Sequence, residues 1–304
     1  MLHLLTAFYR TPWALDETTL GIISAVLERW STVGRLSEAE IAVAVGNAPE
    51  AAAQRRQAAA AAGGGAIAVI PVYGVLAHRI HDVQNSSKPL TSTEGLAHQI
   101  RQAVADPQVS AIVMDVDSPG GSVFGVQELG DVIFEARKSK PVVAQVNSTA
   151  ASGGYWIASQ ATEIVVTPSG MVGSIGVILP HNDASAAYEK AGVKRSYITA
   201  GRYKAEGNDT GPLDDEARAH LQAMVDGFYD TFVKAVARGR GLPVDTIRGE
   251  AFGQGRMKLA KEAVASGMAN QIGTLEETIA RWMKPKRAGM SALQAEREIQ
   301  ILET

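Results

Sequence analysis

The sequence predicts an α/β fold with a mostly parallel sheet. From residue 66 onward, short β-branched runs bounded by Gly, Pro or Asp recur along the chain. Amphipathic helical patterns separate these runs, and strands alternating with helices are typical of right-handed βαβ crossovers. The chain has 304 residues, of which 46% are hydrophobic, so it can bury a large core.

Five apolar runs are short enough and rich enough in Val and Ile to be strands of a buried sheet. They cover residues 66–76, 111–117, 141–147, 163–167 and 174–179. Three segments repeat apolar residues on one helical face and predict helices. They cover residues 93–106, 124–139 and 214–238.

The flanking segments differ from this pattern. Residues 1–50 predict an N-terminal helical region, because Leu20, Ile23 and Leu27 recur at helical spacing. The Ala- and Gly-rich stretch 51–65 predicts a linker. We therefore place the folded domain at residues 66–280. Residues 281–304 are charged and predict a solvated tail.

Composition excludes several classes of protein and site. The net charge of −3 gives no reason to expect a nucleic-acid partner. The chain has no cysteine, which removes disulfides, thiol catalysis and cysteine-bound metals. Its six histidines show no metal-binding spacing such as HExxH, so we expect neither a metal nor another cofactor.

No segment has the composition of a signal peptide or a membrane span. The apolar N-terminus lacks a basic lead and is interrupted by Arg10, Pro12 and Asp16. The long uncharged windows around 141–162 and 164–182 contain too many Gly, Ser, Thr, Asn and Gln residues to cross a bilayer. We therefore expect no membrane partner.

The motif DSPGGS (117–122) stands where a predicted strand ends and a helix begins. Ligands of α/β sheets bind beyond the carboxyl ends of the strands. Paired glycines such as Gly120 and Gly121 let the backbone turn tightly and expose N–H groups that can hold an oxyanion. The same motif is also typical of an ordinary turn, with Ser122 near the start of the helix.

The stretch NSTAASGGYW (147–156) places Ser152 among very small residues at another strand-to-helix junction. Small neighbours leave room for a substrate backbone, and the N–H of Gly153 could donate to an oxyanion beside the Ser152 hydroxyl. A small-residue surface for helix packing, with Ser152 capping the helix, explains the pattern equally well.

Two further motifs could supply partners for a nucleophilic serine: GSIGV (173–177) and AGRYKAEGN (200–208). A lysine such as Lys204 acts as a general base only when neutral, a form favoured by burial or neighbouring cations. An exposed loop lysine remains the alternative. A Ser-His arrangement using His181, with Asp183 nearby, is also open.

Taken together, these residues resemble the signal-peptide-peptidase-A family of serine peptidases, relatives of the Clp protease in the crotonase-like superfamily. The resemblance runs in order through DVDSPGGSV (115–123), KPVVAQVNSTAASGGYWIAS (140–159), IVVTPSGMVGSIGV (164–177), AGRYKAEG (200–207) and segments within 250–273. It covers about residues 66–280. It implies a crotonase/Clp-like superhelix of repeated ββα units, joined here to an N-terminal helical region.

The resemblance also implies roles for individual residues. Ser152 corresponds to the nucleophile and Lys204 to the general base of a Ser-Lys dyad. Ser174 matches a hydroxyl that orients the lysine. The N–H groups of Gly120 and Gly153 match the oxyanion hole.

The N-terminal region and the sequences of motifs such as DSPGGSVFGVQEL look like those of the family members that phages and prophages encode. The resemblance then implies a capsid maturation protease that cuts capsid and scaffold polypeptides, or itself, as a homo-oligomer. Its expected location is the bacterial cytoplasm or the phage procapsid. Two alternatives remain: a crotonase-type acyl-CoA enzyme on the same fold, and a non-catalytic capsid-assembly or scaffold protein.

Overall fold

The computed structural model describes residues 8–9, 11–32, 66–78 and 90–283. The strands in these ranges are β1 (Trp13–Leu15), β2 (Ala66–Tyr73), β3 (Val75–Ala77), β4 (Leu90–Ser92), β5 (Val109–Ser118), β6 (Gly120–Ser122), β7 (Val142–Ala151), β8 (Glu163–Val166), β9 (Met171–Gly173), β10 (Met257–Leu259) and β11 (Gln271–Ile272). The α-helices are α1 (Glu17–Thr32), α2 (Thr93–Ala105), α3 (Val126–Ser139), α4 (Gly153–Ala158), α5 (Ser185–Lys190), α6 (Asp215–Arg240), α7 (Val244–Arg248), α8 (Ala260–Ala265) and α9 (Leu275–Met283), with a 3₁₀ segment at Glu250–Gly255.

A seven-stranded sheet forms the centre of the fold. Strand β7 lies between β5 on one side and β8 and β9 on the other, and all three pairings are parallel. The antiparallel pair in this sheet is β9 with β10. Helices α2 and α3 cover one face, while α9 packs Leu275 against Val113 and Val143 on the other. The prediction of an α/β fold with a mostly parallel sheet is confirmed.

A second, smaller sheet has the order β1-β6-β3-β4. Twice, a long strand of the central sheet ends in a tight corner and continues as a short strand of this sheet: β2 continues as β3, and β5 continues as β6, which α3 follows. The corner between β2 and β3 is Gly74, with a φ of 71°, and its N–H donates to Asp117 O at 2.9 Å. The corner between β5 and β6 is Pro119. The unit β5-β6-α3 has the expected ββα order, and its corner carries the DSPGGS motif, whereas β4 stands between β3 and α2.

The predicted helices at 93–106, 124–139 and 214–238 are confirmed as α2, α3 and α6. The strand predicted at 174–179 is wrong: β9 ends at Gly173, and Ile178 forms only an isolated bridge. The physical reason is the backbone of Gly173 and Ser174, whose φ values of 134° and 53° are incompatible with a continuing strand.

The N-terminal region contains a strand that the sequence reasoning missed. Strand β1 pairs antiparallel with β6, and α1 follows it within the expected helical region. The linker 51–65, the rest of 1–50 beyond residue 32, and residues 284–304 lie outside the described residues, so the domain boundaries stay a prediction. Among the helices of the described ranges, none combines the length and apolar character needed to cross a membrane.

Candidate active site

Ser152 occupies a sharp turn between β7 and α4. Its φ of 51° and ψ of −117° lie outside the regions that L-residues commonly adopt. Two backbone hydrogen bonds hold this conformation: Ser152 N–H donates to Gly173 O at 2.8 Å, and Trp156 N–H donates to Ser152 O at 2.8 Å. Strained backbone of this kind concentrates at functional sites, where the surrounding structure enforces it.

The small residues around Ser152 let α4 approach the end of β5. A Cβ on Gly154 would lie 2.8 Å from the backbone oxygen of Ser118, so any larger residue would force the helix away. Beyond this contact α4 is anchored by buried aromatics, since Trp156 stacks on Phe232 with ring centroids 4.5 Å apart. Local packing therefore fixes the turn that presents Ser152.

Gly120 and Gly153 come together beside this turn. A Cβ on Gly120 would lie 2.9 Å from the N atom of Gly153, which places the two backbones side by side. Gly120 has a φ of 100°, a conformation that favours glycine. Its N–H donates to the hydroxyl of Ser118 at 3.2 Å. The oxyanion role of the two glycines stays a prediction.

Ser174 leaves the neighbouring strand at the same edge of the sheet as Ser152, because Ala151 pairs with Gly173. The half-buried Ser174 donates its N–H to Arg256 O at 3.1 Å. The Ser152 hydroxyl donates to Gly176 O, just beyond Ser174, at 3.3 Å. The fold thus brings Ser152, Ser174 and the two glycines into one site.

Lys204 differs from these residues in its exposure to solvent. Lys204 lies in an exposed turn, where its N–H donates to Gly201 O at 3.1 Å. Within the described part of the chain, no hydrogen bond joins its side chain to Ser152 or Ser174. Residues 191–204 are exposed apart from Arg195. The role of Lys204 as general base therefore stays a prediction.

A cluster of polar side chains anchors this exposed segment to neighbouring parts of the protein. Arg195 Nη1 donates to Tyr188 Oη at 2.6 Å and to Asp209 Oδ2 at 3.2 Å. Burial, together with the hydrogen bond from Tyr188 to Asp209, raises the pKa of the Tyr188 hydroxyl. The cluster fixes where the segment starts and ends but leaves its tip, with Lys204, in solvent.

The alternative base, His181, is also separate from Ser152. His181 Nε2 lies 3.2 Å from Gly211 O. The pKa of Asp183 is lowered because the hydroxyl and N–H of Ser185 donate to its carboxylate, with a smaller effect of the His181 charge. Within the described residues, neither His181 nor Asp183 hydrogen-bonds to Ser152, and no cluster of His, Asp or Glu could hold a metal ion.

Sequence reasoning missed the strand that lies beside Gly120 and Gly153. Strand β1 lies along β6, and its Ala14 carbonyl oxygen would be 3.1 Å from a Cβ on Gly153. Its three apolar residues stand between Pro12 and Asp16, and a run this short has no periodicity to reveal a strand. Its pairing with β6 and with Ile178 identifies it.

Residues 135–289, about half of the chain, match Peptidase family S49. The chain belongs to this peptidase family. The expected resemblance to signal-peptide-peptidase-A-type serine peptidases is thereby confirmed.

Two phage proteins are among the similar proteins. Capsid assembly protease C of Escherichia phage lambda is 35% identical over 206 residues, which cover 68% of this chain and 46% of that protein. Head-tail preconnector protein GP5 of Enterobacteria phage P21 is 33% identical over 213 residues, which cover 70% of this chain and 42% of that protein. The chain thus spans less than half the length of both relatives. Among solved structures, a mutant of the 1510-N membrane-bound stomatin-specific protease matches 72% of this chain and 85% of its own, with 16% identity and a TM-score of 0.47.

Proposed function

We propose that the protein is a serine endopeptidase with Ser152 as nucleophile and Lys204 as general base. The main support is the strained, buried strand-to-helix turn at Ser152, beside Gly120 and Gly153, in a chain of Peptidase family S49. Such a turn holds a hydroxyl in one orientation next to backbone N–H groups, which is the arrangement that acyl transfer needs.

The reaction follows from these roles. Neutral Lys204 accepts the proton of the Ser152 hydroxyl while its oxygen attacks the carbonyl carbon of a peptide bond. The N–H groups of Gly120 and Gly153 hold the oxyanion, which requires Gly120 N–H to turn away from Ser118. Lys204 then protonates the leaving amine, and water releases the acyl group from Ser152. Ser174 orients Lys204 through a hydrogen bond.

Self-association supplies the missing step, the approach of Lys204 to Ser152. Residues 191–204, here called the Lys204 segment, expose large apolar side chains. Among them are Ile198, which is fully exposed, and Tyr197. The first half of α6 adds a half-exposed apolar stripe with Val225 and Phe228. Apolar surface of this kind is typical of interfaces. We therefore propose a homo-oligomer in which this segment packs over Ser152.

The names of the two phage relatives suggest the substrates. We propose that the protein cuts capsid and scaffold polypeptides during head assembly, and that it acts in the cytoplasm of a bacterial host or inside a procapsid. Polypeptides in extended conformation fit the site, because β6 and the segment after β9 already pair with one extended segment, β1.

Intact-mass spectrometry tests the proposal. Wild type, Ser152→Ala, Lys204→Ala and the control Lys194→Ala are incubated alone and with unfolded casein, at concentrations where light scattering shows the oligomer. Lys194 is an exposed lysine of the same segment, so Lys194→Ala removes the same charge as Lys204→Ala. We expect fragments from wild type and Lys194→Ala only. Fragments from Lys204→Ala would reject Lys204 as base, and equal fragmentation by Ser152→Ala would reject the peptidase.

A further inference from the structure

Strand β1 crosses the site as the middle strand between two partners. On one side Trp13 exchanges both backbone hydrogen bonds with Ile178: Trp13 N–H donates to Ile178 O at 2.8 Å, and Ile178 N–H donates to Trp13 O at 2.9 Å. On the other side β1 runs antiparallel to β6, with Ala14 opposite Gly121. Both hydrogen-bonding edges of the site are therefore occupied by the chain itself.

The pairing with β6 extends beyond the strand at both ends. Asp16 N–H donates to Pro119 O at 3.0 Å, and Val123 N–H donates to Pro12 O at 3.2 Å. Residues 12–16 thus follow the full length of the glycine motif in an extended conformation. An extended peptide bound by β-augmentation would make the same bonds.

The carbonyl oxygen of Ala14 lies close to the two glycines assigned to the oxyanion hole. A Cβ on Gly120 would collide with Ala14 O, and a Cβ on Gly153 would lie 3.1 Å from it. Ala14 and Ser152 are both 0% exposed. A backbone carbonyl of the N-terminal region therefore lies against the two glycines, in the groove where the proposed mechanism places a substrate backbone.

The N-terminal region holds β1 in place at both ends. Leu15 is buried in a cluster with Phe8, Leu20 and Val75. Trp13 Nε1 donates to Phe8 O at 2.9 Å, and the Asp16 carboxylate accepts the N–H of Thr19 at 3.0 Å, in the first turn of α1. These contacts belong to the N-terminal region and β3, so β1 is a docked element and not a chance crossing.

We propose that residues 12–16 are an intramolecular ligand of the peptide-binding groove that blocks substrates from Ser152 until it is displaced. The inference rests on the proposed function, because it takes the groove beside Ser152 as the place where substrate polypeptides bind. It also names the ligand: an extended peptide with a small residue at the position of Ala14, since that side chain is completely buried. Release of β1 opens both edges of the groove at once.

The variant Ala14→Pro in the full chain tests the inference. Proline removes the N–H opposite Gly121 and is not tolerated in the middle of a sheet, so β1 should leave the groove. The matched control is Ile22→Arg, on an exposed position of α1. Circular dichroism melting shows whether each variant is folded. If Ala14→Pro is not folded, Trp13→Ala replaces it as a milder change that weakens the docking of β1.

The probe is a fluorescein-labelled peptide of residues 11–17, TPWALDE, and its binding is measured by fluorescence anisotropy. All proteins carry Ser152→Ala in this assay, so that hydrolysis does not interfere. We expect the peptide to bind Ala14→Pro at least about tenfold more tightly than the parent or Ile22→Arg, because β1 no longer competes. Equal binding to all three, or binding to none, would overturn the inference.

Casein hydrolysis, measured with Ser152 intact, separates this inference from the proposed function. Faster fragmentation by Ala14→Pro than by wild type supports both. Tighter peptide binding without fragments from any protein would keep the blocked groove and reject the peptidase. Equal fragmentation with equal peptide binding would keep the peptidase and reject the blocking strand.

Discussion

Two parts of the proposed site, the turn at Ser152 and the segment that carries Lys204, differ in how far they are buried. Ser152 is completely buried where β7 meets α4, and a stacked aromatic pair anchors α4. Residues 191–204 are almost wholly exposed, and Ile198 reaches into solvent without cover. The difference teaches that a single folded chain positions the proposed nucleophile in advance, whereas the proposed mechanism needs a further contact to bring Lys204 to it.

The cause lies in how each residue is connected to the sheet. Ser152 follows the central strand β7 directly, so the pairing of Ala151 with Gly173 and the packing of α4 determine its place. Lys204 lies between the short helix α5 and the long helix α6, and no strand passes through this part of the chain. Interactions with a second copy can therefore order it without changing the core.

The prediction with the largest expected effect concerns Lys204, the proposed general base. Lys204→Arg keeps the positive charge but cannot become neutral, so it cannot accept the Ser152 proton. We expect casein hydrolysis to fall at least about a thousandfold, as when one member of a catalytic triad is removed. Lys194→Arg, in the same segment, should stay within about twofold of wild type, because it takes no part in the reaction. Substantial activity in Lys204→Arg would show that proton transfer uses another group.

The next effect concerns stability. Phe232→Ala removes a completely buried ring from the stack with Trp156 and should lower the free energy of unfolding by about 3–5 kcal/mol. In the dissociated chain Ile198 touches solvent only, so Ile198→Ala should alter the free energy of unfolding of the monomer by less than about 0.5 kcal/mol. Urea denaturation of the two variants measures both values. Similar losses would mean that the Lys204 segment is packed in solution.

The smallest effect compares two glycines. Gly154→Ala would place a Cβ 2.8 Å from Ser118 O, and overpacking of this kind costs about 1–3 kcal/mol. A Cβ on Gly211, after the Lys204 segment, meets no atom within 4 Å, so Gly211→Ala should change stability by less than about 1 kcal/mol. Thermal unfolding of the two variants measures this difference in stability. A stable Gly154→Ala protein would show that α4 can move away from β5, and that the turn at Ser152 is less rigid than its packing suggests.

Much of the fold could be predicted from the chain itself. Buried parallel strands require continuous Val and Ile runs, and amphipathic helices require a 3.6-residue period, so β5, β7, α2 and α3 follow from local pattern. The small residues around Ser152 likewise indicate a tight turn, because only they allow two backbones to approach each other. Local chemistry was sufficient in these cases.

Tertiary structure alone decided three other features. The run 174–179 reads as a strand, but the left-handed backbone of Ser174 ends β9 before it. Strand β1 has only three residues, and it exists because β6 and Ile178 supply partners far away in the chain. The distance from Lys204 to Ser152 depends on contacts that neither motif encodes. Sequence determined which residues can do chemistry, whereas long-range pairing and packing decided which of them meet, because those energies arise only between segments that are distant in the chain.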